Sequence, residues 1–135
     1  MSLIATLFLS SDSVAPSYAS SPEDFAEVAE HGGIGVMELS TLWAILRGEE
    51  WQAGHLDDFP CLLNDGVSTI HRLPAEMGAV LAEFAPDQIR EITVAWADTD
   101  EMDCAPDAIR PIVDDLIHFA GLARESGVSV YLYNC

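Results

Sequence analysis

Strand-like segments at the two ends of the chain, with helical segments between them, most constrain the fold. Residues 3–10 and residues 128–133 are mostly apolar and contain β-branched and aromatic residues. Both patterns are typical of buried strands. Because a strand must pair with another strand, the two ends are predicted to be neighbours in a small sheet that several helices cover. The sequence therefore predicts an α+β fold.

Four segments between the ends carry apolar residues at helical spacing. Two of them open with a proline, which fits the first position of a helix, followed at once by an aspartate at the positive end of the helix dipole. The longest is followed directly by Gly127, a residue type that commonly ends helices. The four predicted helices are residues 37–47, 74–84, 86–96 and 106–126.

A shorter helix is predicted at residues 21–31. Ser21 can cap a helix, Pro22 fits its first position, and the next two residues are acidic. Three glycines within the four positions after His31 are predicted to end it. Since this interpretation puts a helix and not a strand before them, the glycines do not have the context of a phosphate-binding loop.

Length and composition indicate one domain, residues 1–135, with half of the residues hydrophobic. No apolar run reaches the roughly 20 residues of a membrane helix. The apolar start lacks the charged region of a signal peptide, because no Lys or Arg precedes Arg47. Cys61, Cys104 and Cys135 are far apart and form no Cys-x-x-Cys pair, which favours reduced thiols and a cytoplasmic location.

The charge of the chain restricts its partners. Asp and Glu total 23 against five arginines, there is no lysine, and the formal net charge is -18. Phosphates of nucleic acids and anionic lipid headgroups would be repelled, so neither a nucleic acid nor a membrane is predicted as a partner. Solubility alone is one explanation. The charge nevertheless exceeds the roughly 2–8 usual for a small domain, which favours a basic protein partner.

Residues 49–72 form the longest loop-like region, with room for one short helix or strand, and are therefore predicted to carry a site. His55, Asp57, Asp58 and His71 are the candidate polar groups of a pocket here.

No catalytic residue, cofactor or metal site is predicted. His55, Cys61 and His71 match no zinc spacing. The sequence leaves open whether these histidines converge with His31 and His118.

Trp51 has two interpretations. A core anchor is favoured for a tryptophan in general. Because Glu49 and Glu50 precede Trp51, it is alternatively an exposed contact for a partner that carries arginines. In that case the nearby Asp57 and Asp58 would belong to the same partner-binding surface.

The densest carboxylate cluster lies at residues 98–103. The cluster does not match the pattern of a calcium-binding loop, because Met102 occupies the third ligand position and the required glycine and closing glutamate are absent. A solvated loop with helix-capping acids remains one interpretation, and a surface for a basic partner is the other. The partner-binding candidates of this cluster are Asp98, Asp100, Glu101 and Asp103.

Three stretches resemble the YfbM-like bacterial family, a domain of unknown function. They are residues 1–5 (MSLIA), 42–48 (LWAILRG) and 116–133 (LIHFAGLARESGVSVYLY). The family usually has a tryptophan where this chain has Leu39, so no role of that indole transfers. The resemblance implies a cytoplasmic α+β protein and assigns no activity, cofactor or catalytic residue.

These observations favour a non-enzymatic module that binds a basic protein, with an inhibitor or immunity-type protein as one form. The alternative is a small-molecule-binding domain or enzyme with a pocket near residues 49–72. A structural subunit that pairs two copies is a third hypothesis, since the sequence leaves the oligomeric state open. Binding that weakens with salt would distinguish the first hypothesis from the others.

Overall fold

The computed structural model describes residues 4–135. Five strands form one antiparallel sheet within this range, and five helices accompany it. The strands are β1 (Ile4–Ser10), β2 (Val28–Gly32), β3 (Cys61–Asn64), β4 (Thr69–Arg72) and β5 (Ser129–Asn134). The helices are α1 (Val36–Leu46), α2 (Gly54–Asp57), α3 (Ala75–Ala82), α4 (Pro86–Ala97) and α5 (Pro106–Ser126).

The two ends of the chain pair at the centre of the sheet, as predicted. The strand order is β2-β1-β5-β4-β3, and β1 runs antiparallel to β5 from Ala5 opposite Asn134 to Ser10 opposite Ser129. Residue 3 of the predicted first strand lies outside the described residues. The α+β prediction is confirmed.

Each face of the sheet has its own apolar core because side chains alternate along the strands. On one face, Leu7 and Leu132 pack with buried residues of the helices, among them Trp96 and Leu116. On the other, Phe8 packs in an aromatic cluster to which residues 11–27 contribute. The rings of that cluster are Phe8, Tyr18, Phe25, Tyr131 and Tyr133.

The four longer predicted helices are confirmed within a few residues as α1, α3, α4 and α5. In α5, Pro106 is the first residue and Gly127 ends the helix with a φ of 69°, a left-handed conformation that favours glycine. Among residues 4–135, no helix has the length and apolarity required to cross a bilayer.

The predicted helix at residues 21–31 is wrong. Only Pro22–Asp24 forms a single 3-10 turn, and the chain then enters strand β2. Phe25 packs edge-on against Phe8 with ring centroids 5.2 Å apart, and the following residues pair with β1. Aromatic packing and strand pairing therefore outweigh the local helix-start signals.

The glycines after His31 lie between a strand and a helix, contrary to the expectation. Gly33 has a φ of 76°, and Gly35 precedes the first residue of α1. The Gly35 amide donates a 2.7 Å hydrogen bond to the Glu38 carboxylate. The Glu38 carboxylate thus occupies the backbone N–H at the helix start that a phosphate would need. A bound anion would also be repelled by this carboxylate, so the turn is unsuited to anion binding.

Residues 49–72 contain more regular structure than predicted. The segment forms α2 and the β3–β4 hairpin, and β4 pairs with β5. In the hairpin turn, the Asp65 carboxylate accepts hydrogen bonds from the Val67 and Ser68 amides at 2.9 and 2.7 Å. These bonds lower the Asp65 pKa from its ordinary value.

Candidate functional site

Every arginine of the chain is paired with a carboxylate of the same chain. Since the chain has no lysine, each of its Arg cations has a carboxylate of the chain within 3.7 Å, and the remaining carboxylates dominate the surface charge. The shortest N–O separations are Arg47–Glu49 2.7 Å, Arg72–Asp12 2.6 Å, Arg90–Asp87 3.7 Å, Arg110–Asp114 2.8 Å and Arg124–Glu83 3.3 Å.

Residues 98–103, here termed the acidic loop, join α4 to α5. Thr99 organises the loop, because its hydroxyl donates to the Trp96 carbonyl at 2.7 Å and its own carbonyl accepts from the Asp103 amide at 2.7 Å. Met102 packs against the helical core. The four carboxylates are exposed on a backbone that these contacts hold, and Asp103 has a φ of 37°.

Helix capping does not explain the acidic loop. Asp98 is the C-terminal cap of α4, where the negative end of the helix dipole disfavours a carboxylate. Asp107, in the first turn of α5, is the acid whose position stabilises a helix. The loop acids therefore have no evident role in helix stability.

Trp51 is not a core residue. Its side chain is 39% exposed, and its indole N–H donates to the Ser40 hydroxyl of α1 at 2.9 Å. The core interpretation is therefore wrong. The hydrogen bond holds the ring against α1 and leaves part of the apolar surface open to solvent, as a partner-contact residue requires.

A cleft beside α1, here termed the Arg47 cleft, contains Asp58 of the predicted set. Two adjoining recesses of about 280 and 250 Å³ share Arg47 and Asp58 in their linings. The Trp43 indole N–H donates to Asp58 at 2.9 Å, and the Arg47 guanidinium lies 5.3 Å from the centroid of the Trp43 ring. Asp57 is exposed at the end of α2 and is absent from both linings.

His55 in the Arg47 cleft is a hydrogen-bonded structural residue. It is only 5% exposed, the Gln52 amide donates to its Nδ1 at 3.0 Å, and its Nε2 lies 3.1 Å from the Glu49 carboxylate. In the tautomer in which Nδ1 accepts, Nε2 donates to Glu49. The hydrogen bonds from His55 and Arg47 lower the Glu49 pKa. Both imidazole nitrogens are occupied, so His55 is a poor general base.

The four histidines lie on four different elements. His31 of β2 is bonded to Asp115 of α5 at 2.7 Å, His118 is exposed on α5, and His55 lies on α2. His71 lies on β4, where burial lowers its pKa. Within residues 4–135, no group of three or more His, Cys, Asp or Glu side chains could hold a metal ion.

A separate apolar recess of about 260 Å³ lies between α3, α5 and β5. Leu73, Ala120 and Val130 are buried in its lining, and the ion pair of Arg124 with Glu83 belongs to its rim. The recess could accept one apolar side chain. It lies outside residues 49–72, and α3 contributes the small residues Ala75, Gly78 and Ala79 to its lining.

Asp12 ties residues 11–27 to the sheet. Its carboxylate accepts hydrogen bonds from the Tyr131 hydroxyl and from Arg72, each at 2.6 Å. The Tyr131 hydrogen bond, with support from Arg72, lowers the Asp12 pKa from its ordinary value. Burial and the Asp12 contact raise the Tyr131 pKa. The three side chains are a structural anchor for the second face of the sheet.

We expect Asp12→Asn to destabilise the protein in a pH-dependent way. Because the folded-state pKa is lowered, the charged Asp12 stabilises the fold above the unfolded value of about 3.9, and this contribution is lost as the pH falls through the folded value. The difference in urea midpoint between wild type and variant should therefore shrink on acidification below about pH 4. Glu23→Gln is the control at an exposed carboxylate. A difference that stays constant with pH would contradict the prediction.

The predicted partner-binding residues form two regions, and each region is tied to α1 by hydrogen bonds. The acidic loop follows Trp96, whose indole N–H donates to the Glu38 backbone carbonyl of α1 at 3.0 Å. Trp51 and Asp58 instead contact Ser40 and Trp43 of the same helix. Helix α1 therefore connects the two regions.

Sequence reasoning missed Arg47 and Trp43. Their spacing of four residues along one helix is the signal that could have placed the guanidinium over the indole.

No protein-family model, curated protein or solved structure matches this chain. The resemblance to the YfbM-like family therefore stays a prediction.

Proposed function

We propose that this protein is a non-enzymatic binding module for a basic protein partner. The observation that carries the proposal is the internal pairing of all five arginines in a chain of net charge -18. A surface with this charge repels negatively charged molecules and attracts positively charged ones. An inhibitor or immunity-type neutraliser of a basic protein is one form of this function.

The order of the acidic loop supports its part in binding. Asp98, Asp100, Glu101 and Asp103 are exposed, and the backbone that carries them is held by the Thr99 hydrogen bonds. A surface that is already ordered loses less conformational entropy when it binds. Like charges crowded on such a loop repel one another, and lysines or arginines of a partner would relieve that repulsion.

The region around Trp51 supports a second contact. The exposed part of its ring lies in the same segment as the exposed carboxylates of Glu50, Asp57 and Asp58. Arginine can stack on an indole and pair with a carboxylate at once, so this arrangement suits an arginine of the partner.

Affinity purification from cells that express the protein naturally, at low and at high salt, would identify the partner. We then expect the variant with Asp98→Asn, Asp100→Asn, Glu101→Gln and Asp103→Asn to associate about 10- to 100-fold more slowly at low salt, because steering is lost. The effect should shrink at high salt. Stopped-flow kinetics with the purified partner would measure it.

A matched control separates the acidic loop from overall charge. It neutralises Glu76, Glu83, Glu91 and Glu125, which are exposed and lie outside both proposed contact regions, and it changes the net charge by the same amount. If association with the partner slows equally in both variants, overall charge and not the acidic loop sets the association rate. Equal association by wild type and loop variant would contradict a role of the loop. A partner retained equally at both salts would contradict electrostatic binding, and the absence of any retained partner would instead favour a small molecule in the Arg47 cleft.

The cellular location and family belong to the same proposal. The three cysteines are unpaired thiols, which supports a reducing compartment such as the cytoplasm. Membership of the YfbM-like family is proposed on the three sequence stretches alone.

A further inference from the structure

Strand β2 has one paired edge and one open edge. Among the residues that the structure describes, it pairs only with β1, and it ends the strand order of the sheet. Ile4 and Cys135 exchange backbone hydrogen bonds at 3.3 and 3.2 Å, so Ile4 directs its backbone groups toward β5. The direction of the backbone N–H and C=O groups alternates along a strand. Ala5 and Leu7 therefore direct these groups toward β2.

The register then assigns the backbone groups of β2. His31 lies opposite Ala5 and Ala29 lies opposite Leu7, so both bond to β1. Val28, Glu30 and Gly32 direct their N–H and C=O groups away from β1. Within residues 4–135, no backbone hydrogen bond outside the β1 pairing reaches these three residues.

Side-chain exposure follows the same alternation. Val28, Glu30 and Gly32 are exposed, whereas Ala29 and His31 are partly buried. His31 is bonded to Asp115 of α5 at 2.7 Å, which fixes the strand to the helical layer. Val28 is 44% exposed. The open edge is thus an ordered row of backbone donors and acceptors with one apolar side chain.

The charge beside this edge is uniformly negative. Glu23, Asp24, Glu27 and Glu30 are exposed, and no Lys or Arg occurs in the sequence before Arg47. Cross-strand neighbours lie about 5 Å apart, so a lysine or arginine opposite Glu30 would form a favourable pair. A second copy paired about Glu30 would instead place two glutamates opposite each other.

We propose that the open edge of β2 binds an extended, positively charged segment of a partner protein, which joins the sheet as a sixth strand. Backbone hydrogen bonds to Val28, Glu30 and Gly32 hold the segment, as in other cases of strand addition. The acidic side chains select its sign of charge. The sign of the partner's charge rests on the proposed function, whereas the open edge does not.

The test uses the full chain and a synthetic eight-residue peptide of alternating lysine and valine. Glu30→Pro removes the outward N–H, and an edge strand tolerates proline where that N–H faces solvent. Glu30→Ala is the matched control, because it removes the same charge and keeps the N–H. We expect Glu30→Pro to bind the peptide at least about tenfold more weakly than Glu30→Ala, measured by calorimetry. Equal affinity of the two variants would overturn the proposal.

Amide hydrogen exchange of the wild-type protein gives a second readout, which does not depend on whether the proline variant folds. Saturating peptide should slow exchange at Val28, Glu30 and Gly32 by about tenfold or more, with little change at Ala29 and His31. Unchanged exchange at the outward amides would overturn the proposal.

The two proposals fail separately. Peptide binding that does not depend on the Glu30 amide, together with a salt-sensitive basic partner, would reject the edge and keep the binding function. If the peptide protects the outward amides but the cell contains no basic partner, the open-edge proposal is kept and the proposed binding function is rejected.

Discussion

Trp96→Ala should destabilise the protein by about 3–5 kcal/mol, the largest class of loss for a core substitution. Trp96 belongs to α4, is fully buried, and contacts α1 through its indole. Its indole N–H lies 3.0 Å from the Glu38 carbonyl and 3.1 Å from the Thr41 hydroxyl. Truncation removes a large apolar volume and leaves both acceptors without this donor. Urea unfolding at neutral pH would measure the change.

Two controls separate the contributions of the Trp96 side chain. Trp96→Phe keeps most of the apolar volume and loses the donor, so a smaller loss of about 1–3 kcal/mol is expected. Val94→Ala on the exposed side of α4 should change stability by no more than about 0.5 kcal/mol. A loss for Trp96→Ala as small as that for Val94→Ala would show that this part of the core is not packed as described.

The position of Trp96 also links stability to the proposed binding surface. The Thr99 hydroxyl donates to the Trp96 carbonyl at 2.7 Å, so the helix end that Trp96 anchors is the start of the acidic loop. We therefore expect hydrogen exchange in residues 98–103 to accelerate in Trp96→Ala.

Phe8→Ala should cost about 3–5 kcal/mol and should loosen residues 11–27 in particular. The Phe8 ring stacks on Tyr18 with centroids 4.4 Å apart and meets Phe25 edge-on at 5.2 Å. Both partners lie in the segment that covers the second face of the sheet. Without Phe8 that segment loses its central contact, and limited proteolysis should cut it faster.

Leu7→Ala is the matched control for Phe8→Ala. Leu7 is the preceding residue of the same strand and packs on the opposite face with the helices. We expect a loss of about 2–5 kcal/mol with no selective cleavage in residues 11–27. Identical cleavage patterns in the two variants would contradict the assignment of separate cores to the two faces.

Local signals predicted the helices well. The proline at the start of α5 and the glycine after its end act on neighbouring backbone groups, so they operate wherever the segment lies. The same kind of signal failed at Pro22. There it stabilises only one 3-10 turn, because Phe25 and β2 find stronger contacts with β1.

The sequence was sufficient to predict which acidic residues belong to the candidate site. It was not sufficient to predict how they are arranged on the protein surface. The sequence shows the carboxylates of residues 98–103 directly, since they are consecutive or nearly so. It does not show that the Thr99 contacts order the loop, or that Trp51 finds a hydrogen-bond partner in Ser40. The anchor of Arg72 and Asp12 joins residues 60 positions apart, which no local spacing could indicate.

Local sequence is enough to specify the four longer helices and the acidic character, and it indicates that the two terminal strands pair. Helical hydrogen bonds join residues four positions apart, so their pattern is written in the local sequence. Sheet hydrogen bonds join distant segments, as where Ala5 lies opposite Asn134. The strand order, the register of β2, and the backbone groups that face its open edge therefore become visible only when the distant strands are assembled into the sheet.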